Sequence, residues 1–271
     1  MMPNPSKVQV GDFFYRNGTS SPIFAPTESN PVIGIVFQTN QERIGEAEKA
    51  ALDEKAGYLE GTSYVLVMAL QNAGSAHWST PDNTTYVNVP GITDCNTKEE
   101  YSADINGLKN YQAVIEYLAD NEKYTMDKFP AFKAVQEYQK QIPTPGNSTD
   151  WYLPSAGQLY DCYANLGGLP DWLEIEDEYN EEIVWNWSLA RIDNYCFKPL
   201  ADAGVLFDRL VPALPAGDAP EEPMNVFWTS TEHSTGKVIN WRIGHSLVHC
   251  ASEYADGEYL VRPILAFKTS K

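Results

Sequence analysis

Three of the four histidines, His233, His245 and His249, fall close together near the C-terminus, with Glu232 and Glu253 beside them and Cys250 directly after the last. Such a set could serve metal ligation, thiol nucleophilic catalysis or polar recognition. A His-x-x-x-His pair ligates zinc from a helix, where both imidazoles share one face. The residues flanking His245 and His249 read as strand and loop, where that spacing does not bring them to one locus. The same geometry argues against a His249–Cys250 base and nucleophile, because neighbouring strand residues point to opposite faces. Recognition remains, with a hydrogen-bonded structural histidine as its plain alternative. Asn240, Arg242 and Tyr254 join the set, since Tyr, Asn and Arg combine rigid aromatic area with adaptable hydrogen bonds. The candidate ligand-binding residues are therefore Glu232, His233, Asn240, Arg242, His245, His249, Glu253 and Tyr254. For each, ordinary polar surface is the competing reading. No catalytic residue, metal site or cofactor is expected. A second cluster, Glu174, Glu176, Asp177, Glu178, Glu181 and Glu182, lacks the alternating ligands and glycine of a calcium loop and reads as solvated surface.

The elements that must position these residues are legible in the apolar periodicity. Ile239, Trp241 and Ile243 alternate with Asn240 and Arg242, which predicts a strand with one buried face and Asn240 and Arg242 pointing outward. Val226–Thr231 and Tyr259–Phe267 read as scaffold strands on either side, with Trp241 in the core by its apolar phase. Pro263 cannot donate to a ladder, so a bulge or an unpaired position is expected there. Further upstream, Val8–Tyr15 reads as a strand followed by an Asn17-Gly18 hairpin turn. VIGIVF at Val32–Phe37 and YVLVMAL at Tyr64–Leu70 read as strands buried on both faces. Between them, Gln41–Lys55 is expected to be an exposed amphipathic helix with Gly57 near its end and its charges in solvent. Residues 81–104 look irregular. Helical spacing predicts a helix from Asn106 to about Ala119, a second from Pro130, and a third over Ala156–Leu166 with Ser155 and Gln158 as a capping box. Residues Gly167–Glu222 read as a long insertion holding the acidic patch, Trp185 and Trp187, and a Pro/Ala/Gly stretch.

Composition bounds the partners. With 37 acidic against 19 basic residues, the net charge of −18 repels phosphate backbones and anionic lipid. Nucleic acid and membrane insertion are excluded as expectations, and no apolar run approaches the ~20 residues of a membrane span. The four cysteines, Cys95, Cys162, Cys196 and Cys250, have no zinc spacing and are read as buried free thiols, although an even number permits two disulfides. MMPNPSKVQV lacks the apolar core of a signal peptide, so an export signal is expected to have been removed.

Three ordered segments, WYLPSAGQL at Trp151–Leu159, FWTSTEHS at Phe227–Ser234 and YLVRPILAF at Tyr259–Phe267, resemble the signatures of the DUF1566 family, also called the Lcl C-terminal domain. VGDFFYRNGT, IGIVF, VLVMAL and His77-Trp78-Ser79 resemble the version common in gut Bacteroidetes. Gln158 stands where the family more often has Glu, and either residue caps a helix; the strand motif of the resemblance implies a core position for Trp228. The resemblance excludes the helix at 41–56 and the insertion. It implies a C-type lectin-like fold, on secreted or surface-anchored proteins, fimbrial adhesins or phage tips. It also implies ligand binding without calcium through the segment matching Glu232–Glu258, which diversity-generating retroelements vary in some members.

The resulting expectation is an α+β, C-type lectin-like fold with mixed or antiparallel sheets flanked by two or three helices. It forms a single domain over residues 1–271, with N-terminal strands at 7–90, a helical part at 105–166, the insertion at 167–223 and the C-terminal sheet at 225–267. The expected function is a non-catalytic adhesin or receptor-binding module, secreted, at the cell surface or on a phage virion tip, whose partner is a cell-surface protein or glycan. A structural fimbrial or surface subunit is the first alternative. An enzyme on a formylglycine-generating-enzyme-like fold is the second, since fold alone does not exclude catalysis.

Overall fold

The absence of polar residues from VIGIVF and YVLVMA has a direct cause: both segments lie inside a sheet with both faces covered. The computed structural model describes residues 7–57, 61–83, 85–167, 225–243 and 248–269. In it, β3 (Val32–Gln38) is buried along its whole length and pairs antiparallel with β4 (Tyr64–Ala69). With β1 (Phe13–Tyr15), β2 (Ser20–Ser21) and β10 (Ile264–Lys268) they form a five-stranded sheet in the order β10-β4-β3-β1-β2. The Asn17-Gly18 hairpin forms as expected, but β1 is shorter than Val8–Tyr15. Asp12 Oδ2 accepts from Gln9 N at 3.0 Å and folds residues 9–12 into a turn, which removes them from the ladder.

A second five-stranded sheet has the order β5-β9-β6-β7-β8, built from β5 (Gly74–His77), β6 (Asn225–Ser234), β7 (Lys237–Ile243), β8 (Val248–Tyr254) and β9 (Glu258–Val261). Its ladders are antiparallel except β6 with β9. The segment Tyr259–Phe267, read as one central strand, is two strands in two different sheets. Pro263 falls at the crossover, where its missing N–H costs nothing, while its carbonyl accepts from Ala69 N at 3.0 Å. Arg262 is buried at the same corner. It donates to Ala69 O at 3.1 Å, and its guanidinium lies 5.9 Å from the Phe227 ring centroid. The apolar residues of both sheets and the helices pack as one cluster.

Five α-helices are described: α1 (Glu46–Ala56), α2 (Lys98–Ala103), α3 (Gly107–Asp120), α4 (Pro130–Gln141) and α5 (Ala156–Gly167). The three helices expected at 106, 130 and 156 are where the periodicity placed them. The short α2 was not, although Thr97 and Glu100 form a full capping box that could have signalled it. The expectation that the charges of α1 lie in solvent is corrected at Glu48, which is fully buried. Its Oε1 accepts from Gln158 Nε2 at 2.7 Å and from Leu108 N at 3.3 Å, so it caps the start of α3, whose own Asn106 makes no side-chain cap. The acidic patch, Trp185, Trp187, Cys196 and the rest of the insertion lie outside the described residues.

The first turn of α5 is where these pieces meet. Ser155 N donates to Gln158 Oε1, and Ser155 Oγ donates to Asp104 O at 2.7 Å. Gly157 N donates to the same carbonyl at 3.0 Å. Ala156 N donates to Thr231 Oγ1 on β6, and Thr231 in turn donates to Asp104 Oδ2 at 2.5 Å. The Arg43 guanidinium grips Asp161 through Nε at 2.9 Å and Nη2 at 3.0 Å and reaches Ser102 O and Gly157 O. So close is the approach of α5 to Asp104 that a Cβ on Gly157 would lie 2.4 Å from Asp104 O and 2.5 Å from Ser102 O. Because those obstacles are backbone, Gly157→Ala should destabilise the fold by about 2–3 kcal/mol. Urea denaturation followed by circular dichroism checks this; an unchanged midpoint contradicts the packing described.

Candidate functional site

The candidate face is the meander β6–β7–β8, the outer part of the second sheet. Ser234 pairs with Lys237 across a two-residue turn, Thr235-Gly236, with Gly236 at φ +82°. Only glycine suits that position, since a Cβ would also lie 2.4 Å from the Tyr86 ring. The register then places Asn240 opposite Trp228 and Ala251, and Arg242 opposite Val226 and His249.

Directly opposed residues share a face, so Asn240 stands beside Trp228 and Ala251. That face is covered: Asn240, Trp228 and Val238 are all at 0% exposure. Trp228 packs against Tyr259 with the rings tilted and their centroids 4.6 Å apart, and it donates to Ala76 O at 2.8 Å. The expected outward-pointing Asn240 is therefore corrected. Strict alternation shows two faces of different polarity, but packing covers both, with Ile239 and Trp241 buried on one and Val238 and Asn240 on the other. Asn240 Nδ2 has no hydrogen-bond partner among the described residues, and its Oδ1 accepts from Arg242 Nε at 3.4 Å. Arg242 runs back over Asn240 and pairs with Glu253 through Nη2; both partners are half-buried.

Glu232 is a second correction. It is 3% exposed, behind the loop that carries Asp94 and Cys95, where Cys95 N donates to Glu232 O and Glu232 N donates to Thr93 O. Burial, reinforced by the Asp94 charge, pushes its carboxyl up to about 8. His233 is pinned rather than free. Its Nδ1 stands 2.9 Å from Tyr101 OH and 3.1 Å from Cys95 O, so one tautomer accepts from the tyrosine and the other donates to the carbonyl. This is the hydrogen-bonded structural histidine weighed against a recognition role. His249 pairs with Arg242 in the ladder, and His245 lies outside the described residues.

Tyr254 remains in solvent at 60% exposure, and Lys237 lies over it with Nζ 5.4 Å from the ring centroid. Tyr86, half-buried next to Gly236, completes an aromatic corner; burial first, and then its hydrogen bond to Asp256, pushes its hydroxyl up to about 12. Lys237 and Tyr86 were not among the expected residues. The Thr235-Gly236 turn could have placed Lys237; nothing local in the sequence points to Tyr86. What the face presents is thus a Tyr254–Lys237–Tyr86 corner and the Arg242–Glu253 pair.

The described cysteines, Cys95, Cys162 and Cys250, are free and buried, as expected for them. Burial raises all three thiols, Cys95 to about 12. Among the described residues no group of three or more His, Cys, Asp or Glu could hold a metal ion, and no helix is long and apolar enough to cross a membrane.

No family model matches the chain, and no curated protein does. One solved structure, a fimbrial protein from Bacteroides ovatus ATCC 8483, is similar over 96% of this chain, with a TM-score of 0.58 and 18% sequence identity. The match takes in 49% of that protein, so this chain spans about half its length. At that identity the likeness is one of fold: a mixed α+β architecture of two sheets, shared with a bacterial fimbrial protein.

The buried Glu232 gives this site a pH signature. Its folded pKa lies above the usual carboxylate value, so the native state holds its proton more tightly than the unfolded chain. The stability it costs is absent below about pH 4.5 and grows until about pH 8. Glu232→Gln, which mimics the protonated acid, should leave stability unchanged near pH 4.5 and raise it by about 2 kcal/mol at pH 9. Urea titrations of both proteins at the two pH values test this; equal stabilities at pH 9 refute it.

Proposed function

We propose that this chain is a non-catalytic structural subunit, or a module of one, in a bacterial surface fibre, built on a C-type lectin-like fold. The observation that carries the reading is the likeness of nearly the whole chain to the fimbrial protein. The state of the presumed ligand face supports it too, since Glu232 and Asn240 are buried and His233 is tied to the core. Thiols raised by burial are poor nucleophiles, which favours a structural role over thiol catalysis. Its partners are then neighbouring subunits and its place is the cell surface or the extracellular space.

A second reading keeps recognition at the exposed corner, because Tyr254 offers an exposed aromatic flanked by a cation. The two separate in one experiment. The protein is expressed with an epitope tag in a Bacteroides host, cells are sheared, and fibres are examined by immunogold electron microscopy. Incorporation into sheared fibres is expected, with Arg242→Ala and Tyr254→Ala assembling like the parent and cell attachment unaltered. Recovery of the protein only inside the cell would exclude the structural reading. Normal assembly with attachment lost in Tyr254→Ala would favour the second.

A further inference from the structure

A groove of about 500 Å³ opens between α1, α3 and α4, and none of its lining residues belongs to the second sheet. Its volume is within the ~300–1,000 Å³ of small-molecule sites. One face of α3 builds one wall of it, because Leu108, Tyr111, Gln112, Ile115 and Glu116 follow the helical i, i+3, i+4, i+7, i+8 pattern. Ala51 of α1 and Gln136 and Gln139 of α4 face them. Leu108 and Tyr111 are buried on this face and Ile115 is half-buried, while the Gln112 and Glu116 side chains beside them are exposed.

The polar groups fall into two sets. Gln139 is committed: its Nε2 donates to Trp151 O at 2.5 Å and to Tyr111 OH at 3.5 Å. Lys55 is committed as well, donating to Ser148 O at 3.2 Å and standing 3.9 Å from Asp150. The side chains of Gln112, Gln136 and Glu116 make no hydrogen bond to other described residues. Two carboxamides and a carboxylate around an apolar floor match the edges and the C–H face of a sugar ring, since each can bond vicinal hydroxyls. Charge selects within that class. Glu116 and Asp150 outnumber Lys55 here, and the whole chain carries −18, so carboxylated or sulfated glycans are repelled. An extended peptide that binds by strand addition needs free backbone groups, which the α1, α3 and α4 walls do not offer because their N–H and C=O groups are paired within the helices.

We infer that the α1–α3–α4 groove binds a neutral oligosaccharide, with Gln112, Gln136 and Glu116 bonding its hydroxyls and the half-buried Ile115 supporting its apolar face. This is independent of the fibre reading and of the β8 corner.

The test is ¹H–¹⁵N NMR titration of the full chain with neutral hexasaccharides of the α-glucan, β-glucan, β-mannan, xylan and chitin types, alongside heparin and polygalacturonate. At least one neutral probe should shift amides of α3 and α4. The double variant Gln112→Ala/Gln136→Ala should weaken it about tenfold or more while its melting temperature stays with the parent. Glu116→Gln should retain neutral binding. The inference is overturned if no neutral probe binds, if an anionic probe binds more tightly, or if the double variant binds as the parent does. Shifts confined to β7 and β8 overturn it equally.

Discussion

Asp104 is the residue through which the helices and the second sheet are held together. Its carbonyl oxygen accepts from Ser155 Oγ and Gly157 N, Oδ2 accepts from Thr231, and Oδ1 accepts from both the backbone and the side chain of Asn106. One aspartate thereby joins the end of α2, the start of α3, the start of α5 and strand β6. Burial raises its carboxyl pKa, opposed by the Thr231 bond. Each bond is worth only about 1 kcal/mol net, but leaving any of these buried groups unpaired costs about 1–3 kcal/mol. The cluster is consequently cooperative: all of its members must be present for any of them to be buried cheaply.

That constraint explains why the segments Trp151–Leu159 and Phe227–Ser234 look the way they do. Trp151 donates to Ile142 O at the end of α4 and Trp241 to Ala156 O at the start of α5, so large rings tie this segment to both helices. Pro154 offers its carbonyl to Ser230 N, Ser155 caps the helix and reaches Asp104, and Gly157 lets the backbones touch. Thr231 sits in the second segment because its hydroxyl can accept from Ala156 and donate to Asp104 at once. Residues that look like a recognition sequence in the linear chain are here a joint. The same applies to His233, whose ring holds β6 to Tyr101 and the Cys95 loop.

A rigid joint of this kind suits a building block, and it leaves ligand chemistry to surfaces that do not depend on it. The β8 corner and the α1–α3–α4 groove both qualify. Tyr254 is exposed in the first, while the second has uncommitted carboxamides over an apolar floor. Neither lies in the buried middle of β7, where substitution would disturb Trp228 and Asn240 together.

By itself the sequence determined the elements whose signals are local. Period-3.6 apolar spacing located α3, α4 and α5. Unbroken apolar runs located β3 and β4. Asn17-Gly18 marked the first hairpin, and Pro263 marked a bulge or unpaired position in the last strand segment. It also placed Trp228 and Trp241 in the core, from motif and phase. What it could not determine was which polar residues are covered, because alternation along one strand says nothing of what packs on its second face. Glu48, Asp104, Glu232 and Asn240 read as surface or went unremarked, yet all four are buried. Only the tertiary structure brings Gln158 to Glu48 and Tyr259 onto Trp228, from elements not adjacent in sequence. It alone divides Tyr259–Phe267 between two sheets, since that depends on where Ala69 and Phe227 wait to receive Pro263 and Arg262. Local propensity is written in neighbours along the chain, whereas burial is set by residues across it.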